Sequence, residues 1–374
     1  MFSDRRNAWV RPNAIVMMVV MAMLLILVQP VSAGIGTNDN AVASTNDIAF
    51  EMSQVGASAG AISPVVTEIG MIWVSIDGVG SNGENGAIIQ AEKPAGAVVR
   101  KAYLAAASKG FSGYKIPDGG VMIDGAPVTW DLETASSISS WNYWADVTAL
   151  VQGKIDAAPA GRVDFVITEL CSTVVDGEIL VVIFDDPAQD HDNTVILYFG
   201  AQDVAGDSFA ITFANPIDLN DPNLALDFSL GLSYGYQDDD EQFSLIDVNG
   251  QRLSSWAGGS DDCADASPSN GALLTVGGLD DSTANPADPY AQPLADTRYD
   301  DELYSLLPFV NQGDTQVVID IINPSMDDNI FFAGVYLHSM RENPIGTPEF
   351  PTLLFPVMLI GGLFLVTVVG RKRE

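Results

Sequence analysis

Between residues 71 and 337 the chain is cut into short runs of β-branched and aromatic residues, and no stretch sustains a long helical period. Runs at 71–76, 98–104, 163–170, 178–184, 194–199, 209–213, 225–232, 243–248, 272–276, 316–322 and 330–337 are bounded by Asp, Asn, Gly or Pro. Residues 121–130 read as two short strands around the Asp124-Gly125 turn. Only 147–154 and 301–307 read as short helices. Strands with no helices between them bury their apolar faces sheet against sheet. The predicted fold is therefore all-β, as one or two β-sandwich or jelly-roll lobes. So many strands suit two lobes, expected at residues 71–203 and 204–341.

The ends of the chain set its expected topology. Arg5, Arg6 and Arg11 precede an apolar run from Ala14 to Val28, and Val31-Ser32-Ala33 offers a small-residue cleavage site. This is the three-part pattern of a secretory signal peptide over residues 1–33, cleaved after Ala33; an uncleaved membrane anchor is the alternative. Residues 34–70, rich in Gly, Ala, Ser and Asn, are expected to form an irregular leader. At the other end, residues 353–370 carry no charge and as a helix are just long enough to cross a hydrocarbon core of about 30 Å. Arg371, Lys372 and Arg373 then make residues 371–374 a basic tail that stays cytoplasmic under the positive-inside rule. An N-terminal signal helix and a C-terminal transmembrane helix thus flank the β-body and place it outside the cytoplasmic membrane.

The neck at residues 342–352 contains Pro348, Glu349, Phe350, Pro351 and Thr352, directly before the apolar helix and the basic end. This ordered pattern resembles the PEF-CTERM sorting signal of archaeal cell-surface proteins. The resemblance implies recognition by an archaeosortase-type processing enzyme, cleavage near Pro348-Glu349-Phe350 and transfer to a membrane lipid, so that the helix is temporary. A plain transmembrane stop is the alternative, and it leaves the protein anchored and facing outward. Within the body, Ala102-Tyr103-Leu104, Asp124-Gly125, Val128-Thr129-Trp130, Ala145-Asp146-Val147-Thr148, Asp186-Pro187 and Tyr299-Asp300-Asp301 follow in order. That order resembles the extracellular β-domains of methanogenic archaea of the DUF3344 type, for which no catalytic set is established.

Charge excludes some functions and suggests others. The formal net charge is −33, from 16 Lys and Arg against 49 Asp and Glu. Between residues 163 and 297 the only basic residue is Arg252, against 25 carboxylates. No basic face exists for phosphates, so nucleic acid is excluded as a partner. Two His and two Cys exclude a Cys₄, Cys₂His₂ or three-His zinc site. Carboxylates at this density repel one another unless salt or bound cations screen them. Hard cations take about six to eight oxygens. Asp218, Asn220 and Asp221, then Asp238, Asp239 and Asp240, then Asp327 and Asp328 are the candidate metal ligands, and Ca²⁺ is the cofactor they suggest. None of these loops matches the EF-hand pattern. A solvated acidic surface suited to high salt is the plain alternative.

Other chemistry is sparser. Gly231-Leu232-Ser233-Tyr234-Gly235 follows a strand as a nucleophile elbow would, but leads into the acidic run 237–241 rather than a helix. His191 lies in a turn between two strands. Cys171 and Cys263 offer one disulfide in an exported protein; two separate thiols are the alternative. Trp73, Trp130, Trp141, Trp144 and Trp256 are candidates either for stacking on sugars or for the core. The expected function is a non-enzymatic, structural, adhesive or ligand-display role at the cell surface. The expected partners are the membrane, the processing enzyme, and envelope glycans or surface proteins. The alternative is a secreted polysaccharide hydrolase using paired carboxylates across a cleft.

Overall fold

The computed structural model describes residues 61–81, 87–213, 215–234, 244–258, 274–290 and 302–338. Ala33 and the expected signal peptide, most of the expected leader, the Pro348–Pro351 motif, the expected membrane helix and the basic end all fall outside the described residues. Among the described residues no helix is long and apolar enough to cross a membrane. They are predominantly β, arranged in four antiparallel sheets.

Sheet I is outermost on one side. It runs β3 (Ala87–Lys93), β9 (Gly161–Glu169), β5 (Val121–Ile123) and β6 (Ala126–Pro127). Sheet II runs β2 (Ile72–Gly80), β10 (Val175–Asp185), β4 (Val98–Ser108), β8 (Trp141–Asp146) and β7 (Leu132–Ala135). Sheet III runs β1 (Ser63–Gly70), β11 (Asn193–Phe199), β19 (Asn329–His338), β13 (Ala225–Ser233) and β16 (Leu274–Val276), with β17 (Leu303–Ser305) also on β13. Sheet IV runs β12 (Asp207–Thr212), β18 (Gln316–Ile322), β14 (Ser244–Val248) and β15 (Gln251–Ala257).

Burial patterns show how the sheets stack. Leu104, Val182 and Phe184 of sheet II meet Ile89, Phe165 and Ile167 of sheet I. The opposite face of sheet II, through Ile179, Val181 and Ile183, meets Leu197, Phe331 and Phe332 of sheet III. Sheet III then turns Phe228, Leu230 and Val335 toward Phe209, Ile246 and Ile319 of sheet IV. Two β-sandwiches are thus packed back to back. Strands in the two inner sheets are covered on both faces, so β10 and β19 are buried almost end to end. In the outer sheets β9 and β18 alternate between buried and exposed, as a half-covered strand must.

The inner sheets approach closely at glycines. A Cβ on Gly231 would stand 2.5 Å from Ile179 Cδ1, and one on Gly78 would stand 2.5 Å from Val276 Cγ1. Such contacts are shorter than packed carbon atoms allow.

Three local outcomes differ from the sequence reading or refine it. Residues 63–70, expected to belong to an irregular leader, form edge strand β1 and pair with β11; Val65, Val66, Thr67 and Ile69 carry the strand propensity that the reading of residues 34–70 as one segment passed over. Residues 303–305, read within a short helix, form β17, because pairing with β13 supplies the ladder. The helix expected at 147–154 is present as α1 (Thr148–Ala157), burying Val151 and Ile155. Its C-terminal carbonyls are closed by Lys93 of β3, whose Nζ donates to Ile155, Asp156 and Ala158 oxygens at 2.9–3.0 Å.

Candidate functional site

Sheet II ends at β2, while sheet III continues past it through β19 and β13. This offset leaves a cleft of about 580 Å³ between them. The apolar wall includes Val74, Ile76, Val195, Leu197 and Val335. Residues 277–281, after β16, cross to β2, where the Leu279 N–H donates to the Ile76 carbonyl at 2.9 Å. The Ser229 hydroxyl donates to the Gly277 carbonyl at 2.6 Å and fixes the same segment to β13.

Aromatic side chains form the inner wall of the cleft. The Trp73 and Tyr336 rings meet edge to face, with centroids 5.6 Å apart. His338 packs against both, at 5.9 Å from Trp73 and 3.9 Å from Tyr336. The Tyr336 hydroxyl donates to the Ile72 carbonyl at 3.0 Å and accepts from Asn193 Nδ2 at 3.1 Å, so its ring is held in place. Burial pushes the Tyr336 phenol up from its ordinary value.

Carboxylates surround this wall. Glu92, Asp186, Asp227, Asp280 and Asp281 all line the cleft. Asp186 is anchored by the Ala188 N–H at 3.0 Å and by Gln189 Nε2 at 2.7 Å. Asp227 stands 3.7 Å from His338 Nε2. Asp280 pairs with Arg162 of β9, which also lies 3.6 Å from Glu92. The Arg162 hydrogen bond holds the Asp280 carboxyl below its usual range. Lys93, the basic residue in the lining, has its ammonium committed to the α1 carbonyls. An aromatic face flanked by hydrogen-bond acceptors suits a neutral polyhydroxyl ligand: apolar ring faces stack on Trp73 while hydroxyls donate to carboxylates. An anion is repelled.

The residues singled out from sequence are dispersed. Asp218 Oδ1 accepts from Asn220 N at 3.1 Å and Nδ2 at 2.9 Å, and from Gln312 Nε2 at 3.1 Å. These bonds, the backbone one first, hold the exposed Asp218 carboxyl low. Asp221 accepts from the Asn223 N–H at 2.9 Å. Asp327 and Asp328 precede β19 at the opposite end of sheet IV, where Asp328 Oδ2 accepts from the Ser244 hydroxyl at 2.9 Å. Asp238, Asp239, Asp240 and Cys263 lie outside the described residues. Among the described residues no three acidic, His or Cys side chains are placed to hold a metal together. Cys171 is half-buried with its thiol beside the Tyr114 hydroxyl.

Ser233 is buried at one end of β13 and bonds to Asn329 at 2.7 Å, whereas His338 pairs with the other end at Ala225. That separation keeps Ser233 and His338 from pairing. His191 is paired with Asp190 in its turn. Of the tryptophans, Trp73 reaches the cleft, whereas Trp144 is buried between sheets II and III. Sequence reasoning missed Asp186, Asp227 and Tyr336. Each sits in an ordinary strand or turn pattern, and only the pairing of distant strands unites them.

The described residues therefore define an all-β protein of β-sandwich type with an aromatic, acid-lined cleft between its inner sheets. No family model matches the chain, and no curated protein matches it.

Proposed function

We propose that this chain is an exported, membrane-anchored cell-surface protein, sorted through its PEF-type C-terminus, whose β-body displays the cleft to a ligand in the archaeal envelope. The role is adhesive or structural rather than catalytic, and the ligand is a neutral glycan or a glycosylated surface neighbour. One observation carries the reading: Trp73 and Tyr336 form an aromatic wall inside a cleft lined by five carboxylates. A volume of about 580 Å³ is that of a small-ligand pocket.

The test is titration with neutral oligosaccharides followed by tryptophan fluorescence and calorimetry. Trp73→Ala is expected to weaken binding at least about fivefold, since a stacking ring contributes about 1 kcal/mol or more. Equal affinity in wild type and variant would remove the cleft from the reading. Mass spectrometry of the mature protein tests sorting separately, because an intact Arg371–Glu374 end is incompatible with processing near Phe350.

The cleft also brings carboxylates from separate segments together, as a polysaccharide hydrolase requires. Release of reducing ends that is abolished in both Asp186→Asn and Asp227→Asn would establish that second reading in place of simple display.

A further inference from the structure

Along β9, Val163, Phe165, Ile167 and Glu169 share one face, and along β10, Glu178, Leu180, Val182 and Phe184 share the face opposite. At one end of this sandwich two carboxylic acids thus occupy positions that apolar side chains hold elsewhere in the same rows. Glu178 is 0 % exposed, and neither of its oxygens has a donor among the described residues. Its carboxyl lies in hydrogen-bonding contact with that of Glu169, which is 5 % exposed.

Glu169 Oε2 is 2.6 Å from Ser81 Oγ, and the same hydroxyl is 2.7 Å from the Ser172 carbonyl oxygen. One hydroxyl hydrogen cannot serve both contacts. Ser81 follows β2, and Ser172 lies in the 3₁₀ turn joining β9 to β10, so three segments bring oxygens together at Ser81 Oγ, and β10 adds the Glu178 carboxyl beside that of Glu169.

Two carboxylates in contact, away from water, require a positive charge or a proton between them. Lys109 acts on the neighbouring Asp176, itself fully buried, whereas Glu178 has no ion pair among the described residues. Asp176 adds negative potential at Glu169 rather than relieving it. Ca²⁺ binds oxygens at about 2.3–2.6 Å, which places neighbouring ligand oxygens about 3 Å apart. The Ser81 contacts have nearly that spacing. Two carboxylates, a hydroxyl and a carbonyl supply six oxygens, the lower limit of calcium coordination.

We propose that Glu169, Glu178, Ser81 and the Ser172 carbonyl form a divalent-cation site of calcium type that staples sheet I to sheet II. It differs from the acidic turns at Asp218 and Asp327 in lying inside the core, and it does not depend on the cleft.

The experiment uses the full chain, stripped with chelator and returned to 1 M NaCl so that surface carboxylates are screened. Calcium added to about 1 mM is expected to raise the melting temperature by at least about 4 °C and to show one saturable site by calorimetry. Glu178→Gln removes a ligand charge while supplying an amide donor to Glu169, and is expected to lose both effects. Ser81→Ala, which leaves the charge unchanged, is expected to weaken calcium affinity about tenfold and serves if the first variant does not fold. A wild-type melting temperature indifferent to calcium and chelator would overturn the site and leave a shared proton in its place. Unchanged calcium affinity in either variant would overturn it equally.

Discussion

Single residues carry constraints that their identities alone do not announce. Gly177 has φ +152°, and a Cβ there would stand 2.0 Å from the Val79 carbonyl oxygen across the β10–β2 pairing. Backbone cannot yield as a flexible side chain does. Gly177→Ala is expected to destabilise the protein by about 2–4 kcal/mol, read from urea denaturation. Asp77 is a second case. Burial pushes its carboxyl up to about 6, against a 2.5 Å bond from the Gln90 N–H and the nearby Arg162, which lower it. Asp280 on the same side adds a smaller upward push. The folded state therefore holds this proton more tightly than the unfolded chain does. The stabilisation is complete below about pH 4 and is lost as pH rises to about 6, amounting to about 2–3 kcal/mol. Urea denaturation from pH 4 to 7 is expected to show a shallower decline in Asp77→Asn than in wild type. At this scale the sequence showed Trp73 as a stacking candidate. It did not show Asp186, Asp227 or Glu178, because nothing local marks an ordinary strand or turn carboxylate as a wall of a cleft or a member of a core.

At the scale of elements, most strands were legible from β-branched runs ending in Asp, Asn, Gly or Pro. Among the segments overlooked, β15 reads Gln-Arg-Leu-Ser-Ser-Trp-Ala, and its ladder with β14 supplies what propensity does not. β8 reads Trp-Asn-Tyr-Trp-Ala-Asp, whose aromatics favour a strand while Asn142 and Asp146 interrupt the apolar run, and pairing with β4 and β7 fixes it as one. The helix α1 was legible, but its terminator was not. It ends on the ammonium of Lys93, which comes from sheet I rather than from the helix. A cation at a helix C-terminus satisfies carbonyls that otherwise lack donors and complements the helix dipole. Lys93→Met keeps the buried stem and removes the charge. It is expected to cost about 1–3 kcal/mol in urea denaturation and to speed hydrogen exchange in α1 before other elements.

Across the whole molecule two opposing quantities set behaviour: four stacked layers of apolar surface and a formal charge of −33. Burial between layers is insensitive to modest salt, but repulsion among carboxylates is screened over about 10 Å at 0.1 M and about 3 Å at 1 M. The melting temperature is therefore expected to rise by several degrees between 0.1 and 1 M NaCl with calcium absent. Scanning calorimetry checks this, and a flat response would mean that the repulsion does not set stability. By itself the sequence determined the β class, because alternation and turn chemistry are properties of neighbouring residues. It also determined the acidity that turns phosphates away, because charge is additive along a chain. Only the tertiary structure decided that two sheets would be covered on both faces, that a cleft would open where β2 ends, and that Glu169 would face Glu178. Each of these depends on which distant strands pair and stack, and that choice is settled by the packing of the whole core rather than by any segment of it.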